Sequence, residues 1–255
     1  MTKRVTLAAL LLCAVAVSVS ALSLTSVWNQ ALAIPAEGAI ITVAKGESLG
    51  RVLARAEHNG WLTRGSWVGV VAQWQGLDEH IQAGEFSLNA PLTAGEFIAK
   101  LAGGDVVRRS VTLPEGITLA EAIEILHRES ALAKTPLSDL TTALLAMTGR
   151  QDSAEGLFLP ETWSYIRGDS DLDILRRSHY ALTELLSSLW ESRPEGLVLA
   201  SPYAALTLAS IVEKETGVAD ERKQIAGVFL RRLEKGMRLQ TDPTVIYGLG
   251  DDYDG

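Results

Sequence analysis

Cysteine and histidine are scarce in this chain of 255 residues, which contains Cys13 and four widely spaced histidines. One cysteine excludes a disulfide framework and a cysteine-based zinc site, and the histidine spacing argues against a dedicated metal site. Basic residues are also few, with 23 Lys and Arg against 31 Asp and Glu, a net charge of -8. Because no basic cluster is present to match a phosphate backbone, we expect no nucleic-acid partner.

The longest hydrophobic run, residues 5–27, contains no charged residue and follows the basic pair Lys3 and Arg4. A run of about 23 residues is long enough to cross the roughly 30 Å hydrocarbon core of a membrane as a helix. The basic pair predicts that residues 1–4 are cytoplasmic and that the chain after the helix lies outside. We therefore expect an uncleaved single-pass anchor, and signal-peptide cleavage after Ala33 is the alternative.

Beyond a linker over residues 28–39, the pattern of residues 40–104 predicts a small β-α-α-β unit followed by a helix. The second helix of this unit carries large apolar residues at helical spacing. On that spacing we expect the stripe to pack in a core: Trp67, Val70, Val71 and Trp74.

Residues 105–255 are predicted to be mainly helical with some strand, so the whole chain is expected to be α+β. Thr118 is placed to cap a helix that starts at Leu119. Ser201 and Pro202 are the N-cap and first-turn residues of another helix, which ends before Gly217.

Two carboxylates in that last helix are candidates for acid–base chemistry. At about 100° per residue, Glu213 shares a stripe with Leu206 and Ser210, whereas Glu215 falls near Leu208, on roughly the opposite side. A carboxyl group held against apolar surface becomes harder to ionise and can act as a general acid. The alternative is that both are surface residues paired with nearby cations, and spacing alone does not choose between them.

Two further segments combine residue types that suit sugar binding. Residues 155–163 place Glu155 and Glu161 beside aromatic residues in a predicted loop, and acids next to aromatic faces are typical of carbohydrate sites. The alternative is an ordinary loop whose aromatic rings plug the core. Gln240 and Asp242 lie in a second polar run, where Asp242 either shapes a turn before a proline or lines a cleft.

Four segments together resemble one family. Their sequences are LPEG at Leu113–Gly116, EGLFLPETW at Glu155–Trp163, LASIVEKET at Leu208–Thr216 and GMRLQTDPTVIYGLG at Gly236–Gly250. In this order and at this separation they resemble the MltG/YceG-like endolytic murein (peptidoglycan) transglycosylases, over nearly the whole chain.

The resemblance implies an architecture and an address. Residues 40–104 would be a LysM-like subdomain, and residues 105–255 a YceG-like catalytic domain that is incomplete at its C-terminus, since family members run on past Gly255. The resemblance implies a single-pass protein of the inner (cytoplasmic) membrane whose catalytic domain faces the periplasm. Peptidoglycan glycan strands are the expected partner, and the sequence does not decide whether peptidoglycan synthases or the division machinery also bind.

The resemblance also implies a reaction, the cleavage of the MurNAc-β-1,4-GlcNAc bond within nascent strands with formation of a 1,6-anhydro-MurNAc end. Glu213 matches the catalytic acid of the family, no cofactor or metal is implied, and the reaction would limit glycan strand length. Four more residues are candidates to bind sugar or to orient Glu213: Glu155, Glu161, Gln240 and Asp242. Two alternatives remain open, a non-catalytic peptidoglycan-binding scaffold and a glycan hydrolase that uses Asp242 as a second carboxylate.

Overall fold

The structure, a computed structural model, describes Val15, Ser18 and residues 22–250. These residues form two compact units. The first contains the described residues before Ser110 together with Ile166–Gly168, and the second contains Ser110–Tyr165 and the described residues from Asp169 onward. Helices and two small sheets are present, so the predicted α+β character is confirmed.

The first unit has the predicted β-α-α-β order followed by a helix. Its strands pair antiparallel, with Ala39 opposite Leu88 and Val43 opposite Gly84. A capping box starts the last helix, because Thr93 accepts a hydrogen bond from the Glu96 N–H and the Glu96 carboxylate accepts one from the Thr93 N–H. The elements are β1 (Ala39–Val43), α1 (Leu49–His58), α2 (Gly65–Trp74), β2 (Gly84–Leu88) and α3 (Ala94–Gly103).

The apolar stripe expected in the core of this unit faces solvent instead. Trp67 is 55% exposed, Val70 52% and Trp74 87%. The buried face of α2 is formed by Val68, Val71 and Ala72. The prediction is wrong for three of its four residues. Helix α2 carries no charged residue, so the stripe with the two tryptophans and the neighbouring stripe with Val68 and Ala72 are both apolar. The spacing of apolar residues therefore did not show which stripe is buried.

The expectation of a membrane-spanning helix over residues 5–27 is also contradicted by the structure. Residues 22–28 are helical, which is about 10 Å of helix at 1.5 Å per residue. No helix in the part of the chain that the structure describes is long and apolar enough to cross a membrane. The rest of the expected span, apart from Val15 and Ser18, lies outside the described residues.

The remaining elements include the helices predicted after Thr118 and after Ser201. They are β3 (Arg108–Leu113), α4 (Leu119–Arg128), α5 (Leu137–Thr148), β4 (Glu161–Ile166), α6 (Asp171–Glu191), α7 (Pro202–Glu215), a short 3-10 helix (Ala219–Glu221), α8 (Arg222–Glu234) and α9 (Asp242–Leu249). The second sheet pairs β3 with β4. Within the second unit, one cluster of buried residues surrounds Tyr165 and Ile174, and another joins α7 to α8.

Two of these elements were not predicted. The segment expected to be a loop ends in β4, where Thr162 and Tyr165 belong to the β-branched and aromatic types that favour strands. The polar run around Asp242 starts α9, with Pro243 in the first turn, where a missing N–H has no cost. A proline stands at the start of each element, Pro160 just before β4 and Pro243 in the first turn of α9. In the sequence, both prolines suggest a turn.

A buried carboxylate in the first unit is held by two arginines. Glu85 is 6% exposed and forms ion pairs with Arg109, at 2.6 Å, and with Arg167. Burial by itself raises the pKa of Glu85, but the hydrogen bonds and charges of the two guanidinium groups more than offset it, so the pKa lies below its ordinary value of 4.5. A carboxyl group whose pKa is lowered by folding stabilises the folded state above its ordinary pKa.

Glu85→Gln is therefore expected to lower the free energy of unfolding near neutral pH, by about 1–3 kcal/mol. The difference from the unsubstituted protein should shrink as the pH falls from 4.5 through the lowered pKa of folded Glu85, because the unfolded state takes up the proton first. Below that lowered pKa Glu85 is protonated in both states. Urea titrations at several pH values measure this, and Glu37→Gln, at an exposed position of the same unit, is the control. A constant difference from pH 7 to pH 3 would contradict the role given to the ion pairs.

Trp74→Ala should change the free energy of unfolding by no more than about 0.5 kcal/mol, because the ring is largely in solvent. Phe97→Ala removes a fully buried ring of the same unit and should cost about 3–5 kcal/mol. Denaturant midpoints of the two variants test the assignment of the faces of α2, and equal losses would contradict it.

Candidate functional site

The rotation of α7 about its axis decides which carboxylate is available at the site. Ser201 caps the helix by accepting a hydrogen bond from the Ala204 N–H at 3.1 Å. Leu208 and Val212 are buried in a cluster with Phe229 of α8, so they define the inward face. Glu213 is the next residue after Val212 and lies to one side of that face.

Glu213 is partly buried and paired. Its side chain is 26% exposed, and its Oε1 accepts a hydrogen bond of 2.8 Å from Nη2 of Arg222. The expectation of mainly apolar surroundings is therefore only partly met, and the alternative interpretation of a pairing with a nearby cation holds for this residue. Glu215 is exposed.

The turn between α7 and α8 brings Arg222 to Glu213. Thr216 donates its hydroxyl hydrogen to the Glu221 carboxylate at 2.7 Å and accepts a hydrogen bond from the Val218 N–H at 3.0 Å. These contacts fix the backbone immediately before α8, whose first residue is Arg222. The Nε atom of Arg222 is buried without a hydrogen-bond partner among the described residues, so the guanidinium has a donor left over.

A second motif lies against the same end of α7. Gly116, in the turn of the LPEG segment, has a φ of 72°, which glycine adopts without strain. A Cβ atom added there would lie 3.6 Å from Cγ of Glu213 and 3.5 Å from Cε of Lys214. The LPEG turn and the IVEKET helix, almost a hundred residues apart in sequence, are therefore in contact next to Glu213.

The start of α4 belongs to the same neighbourhood. Hydrogen bonds from Thr118 lower the pKa of Glu121, and the positive charge of Lys214 lowers it further. The third motif reaches this point through Glu155, whose two carboxylate oxygens share the Leu119 N–H at 3.0 and 3.1 Å. A small cleft lies between these segments, lined among others by Pro114, Gly116, Thr118, Glu155, Phe158 and Pro160.

The other predicted site residues lie elsewhere on the second unit. Glu161 is exposed on β4, where its carboxylate accepts a hydrogen bond from the Thr162 N–H. Gln240 is exposed with a φ of 54°, in the left-handed region that a non-glycine residue seldom adopts. Asp242 is exposed in the first turn of α9, so it starts a helix. Phe158 and Trp163 pack against the core, which agrees with the core-plug interpretation of their loop.

A group of aromatic and charged residues near the start of α7 was not predicted from the sequence. The Arg150 guanidinium lies over the ring of Tyr203, 5.1 Å from its centroid. Partial burial raises the pKa of Tyr247 on α9, and electrostatic interactions with Glu155 and Tyr203 raise it further. No local signal identifies such a group, because its members come from three segments that only the fold brings together.

Within the described residues, no group of three or more His, Cys, Asp or Glu side chains is arranged to hold a metal ion.

Comparison with known proteins decides the family. A model of the YceG-like family matches residues 41–255, which is most of the chain. The chain belongs to the YceG-like family. The predicted family membership is thereby confirmed, and three of the motifs that carry the resemblance are the ones that meet near Glu213.

Two relatives of this YceG-like chain are named endolytic murein transglycosylase. The one from Bacillus subtilis is 27% identical over 191 residues, which cover 68% of this chain and 53% of the relative. The one from Streptococcus pneumoniae is 25% identical over 239 residues, which cover 82% of this chain and 43% of the relative. The chain thus spans about half the length of the relatives it matches. A YceG-like protein of known structure, from Listeria monocytogenes, aligns with 86% of this chain and 78% of its own at 22% identity and a TM-score of 0.43.

Glu155→Ala should lower the free energy of unfolding by about 1–2 kcal/mol, because the first N–H of α4 loses its acceptor. Glu161→Ala is the matched control, since this exposed carboxylate accepts its hydrogen bond from the adjacent Thr162 N–H. Its effect should stay within about 0.5 kcal/mol. Denaturant unfolding of both variants measures the difference. Equal stabilities would mean that Glu155 does not hold the start of α4.

Proposed function

We propose that this chain is the glycan-cleaving part of an endolytic murein transglycosylase and that Glu213 is its catalytic residue. One observation carries the proposal: Glu213 lies where the LPEG turn meets the IVEKET helix, in a chain that matches the YceG-like family over residues 41–255. The names of the two relatives support the same activity. The proposed substrate is a peptidoglycan glycan strand cut at an internal MurNAc-β-1,4-GlcNAc bond.

One carboxyl group suffices for both halves of this reaction. Protonated Glu213 gives its proton to the glycosidic oxygen as the bond to the muramyl anomeric carbon breaks, and the GlcNAc end leaves as an alcohol. The muramyl 6-hydroxyl then bonds to the same carbon and gives its proton to the Glu213 carboxylate. A 1,6-anhydro ring forms, no water is consumed, and the proton that Glu213 lost is restored.

Arg222 has a clear part in this scheme. Between the two half-steps Glu213 is a carboxylate, and the guanidinium 2.8 Å away stabilises that charge through a charge-assisted hydrogen bond. The pair also fixes the direction of the carboxylate. Arg222 is thus proposed as the residue that holds Glu213 ready to accept the 6-hydroxyl proton.

The four other predicted site residues divide into two groups. Glu155 is engaged with the start of α4, so we assign it to orienting the LPEG turn beside Glu213. Glu161, Gln240 and Asp242 are exposed, so their polar groups are accessible to sugar hydroxyl groups. They stay proposals as substrate contacts.

The two units are proposed to divide the work. The second unit would be the catalytic domain, and the first unit, with its β-α-α-β order, a LysM-like subdomain that contacts peptidoglycan. Its exposed tryptophans on α2 support this, since indole faces stack on sugar rings. Because peptidoglycan lies outside the cytoplasmic membrane, we propose an extracytoplasmic, periplasmic position for both units.

A non-catalytic peptidoglycan-binding role is the second candidate. It is favoured by the pairing of Glu213 with Arg222, a contact that a purely structural glutamate would also make. In that case the exposed tryptophans of α2 would bind glycan and no bond would be cut.

Glu213→Gln keeps the size of the side chain and removes its titrating proton. Cleavage of sacculi by the full-length protein should fall by about 10⁴-fold or more. This is the upper end of the usual range for general acid–base catalysis, and we expect it because one group acts in both half-steps. Glycan binding and the denaturant midpoint should be retained. Mass spectrometry of the released fragments measures the loss.

Glu215→Gln is the matched control two residues away, at an exposed position, and should keep near wild-type activity. Anhydro ends from the unsubstituted protein support the lytic reaction, reducing ends support a hydrolase, and no cleavage supports the binding role. Full activity in Glu213→Gln with loss in Glu215→Gln would assign the acid to Glu215.

A further inference from the structure

The side of α7 that carries Glu213 continues as a surface to the start of the helix. At about 100° per residue, Tyr203, Leu206, Ser210 and Glu213 lie within an arc of about 80°. This arc faces away from Leu208 and Val212, the buried residues of the helix. Tyr203 is 46% exposed, and Ser210 is also exposed. Leu206 and Glu213 are partly exposed, so the arc has solvent-accessible positions at both ends of the helix.

Two other segments border the far end of this arc. Arg150, from the segment before the EGLFLPETW motif, stacks on one face of Tyr203 at 5.1 Å. Helix α9 packs against α7 and carries Tyr247, which is 63% exposed. The Tyr247 phenol is an uncharged hydrogen-bond donor at neutral pH, and it lies within electrostatic range of Tyr203. Two exposed tyrosine rings, on helices that pack together, and the Arg150 guanidinium thus lie on or beside α7.

The distance from this group to Glu213 suits a polymer. Ten residues of helix separate Tyr203 from Glu213, about 15 Å at 1.5 Å per residue. One sugar ring does not span that length, but several consecutive units of an extended glycan do. An enzyme that cuts inside a strand needs contacts at such a distance, because binding remote parts of the substrate holds the scissile bond in place.

We infer that Tyr203 and Tyr247 form a sugar-binding subsite for the glycan strand, several units away from the bond that Glu213 cleaves. The inference rests on the proposed function and adds a substrate contact to it. Aromatic faces stack on the apolar faces of pyranose rings, and the phenol groups reach the ring hydroxyls. Arg150 holds the Tyr203 ring in one orientation by cation–π contact, which leaves its other face to the sugar.

A length series of glycans tests the subsite by itself. Binding of a MurNAc-GlcNAc disaccharide and of an octasaccharide is measured by calorimetry in the Glu213→Gln protein, which leaves the glycans intact. Tyr203→Ala in that protein should weaken octasaccharide binding about tenfold, the size expected for loss of an aromatic contact, and leave disaccharide binding unchanged. Tyr247→Ala should give the same length-dependent loss, and Tyr203→Phe should keep most of the affinity.

Tyr180→Ala is the matched control, since Tyr180 lies on α6 and is 58% exposed. It should bind both glycans as the parent protein does. Equal weakening of the two glycans by Tyr203→Ala, or unchanged octasaccharide binding, would overturn the subsite and leave the proposed function standing. If the parent protein binds neither glycan, the proposed function fails and the subsite fails with it.

Discussion

The packing of α7 against α8 is the constraint on which the candidate site depends. Leu208 and Val212 are buried against Phe229, and removing them from water is the main reason why α7 keeps one rotation about its axis. With that rotation, Glu213 meets both Arg222 and the turn that contains Gly116. A rotation of about 100° would replace Glu213 at this point by a neighbouring residue of the helix.

A second requirement is that distant segments reach the same end of α7. Glu155 does this for the EGLFLPETW motif, because its carboxylate accepts the first N–H of α4 and so ties that motif to the helix that follows the LPEG turn. The Thr118–Glu121 capping box fixes the same helix start from within. The first turn of α4 is thus held by the local capping box and by the long-range hydrogen bond to Glu155. These contacts keep the LPEG turn, which precedes α4, beside Glu213.

The charges around Glu213 fit a mechanism in which one carboxyl group changes its protonation state twice. Arg222 supplies a counter-charge at hydrogen-bond distance, and Lys214 lies next to the LPEG turn. Lys214 follows Glu213 directly on α7, and Arg222 is the first residue of α8. The packing of these two helices therefore positions the acid and both cations. The sugar contact proposed at Tyr203 lies at the other end of the same helix, and Tyr247 lies on α9, which packs against it. Helix α7 is thus the element that would link substrate length to the reacting bond.

The sequence by itself determined the α+β class, the order of elements in the first unit, and the helix starts at Thr118 and Ser201. These features depend on hydrogen bonds and spacings within a few residues, which a sequence displays directly. Only the tertiary structure decided that Trp74 faces solvent while Val68 is buried, since both stripes of α2 are apolar and burial depends on what packs against the helix. The fold likewise selected Arg222 among the nearby cations as the partner of Glu213. It also joined Tyr203 to Arg150, a contact between distant segments that leaves no periodic trace in the chain.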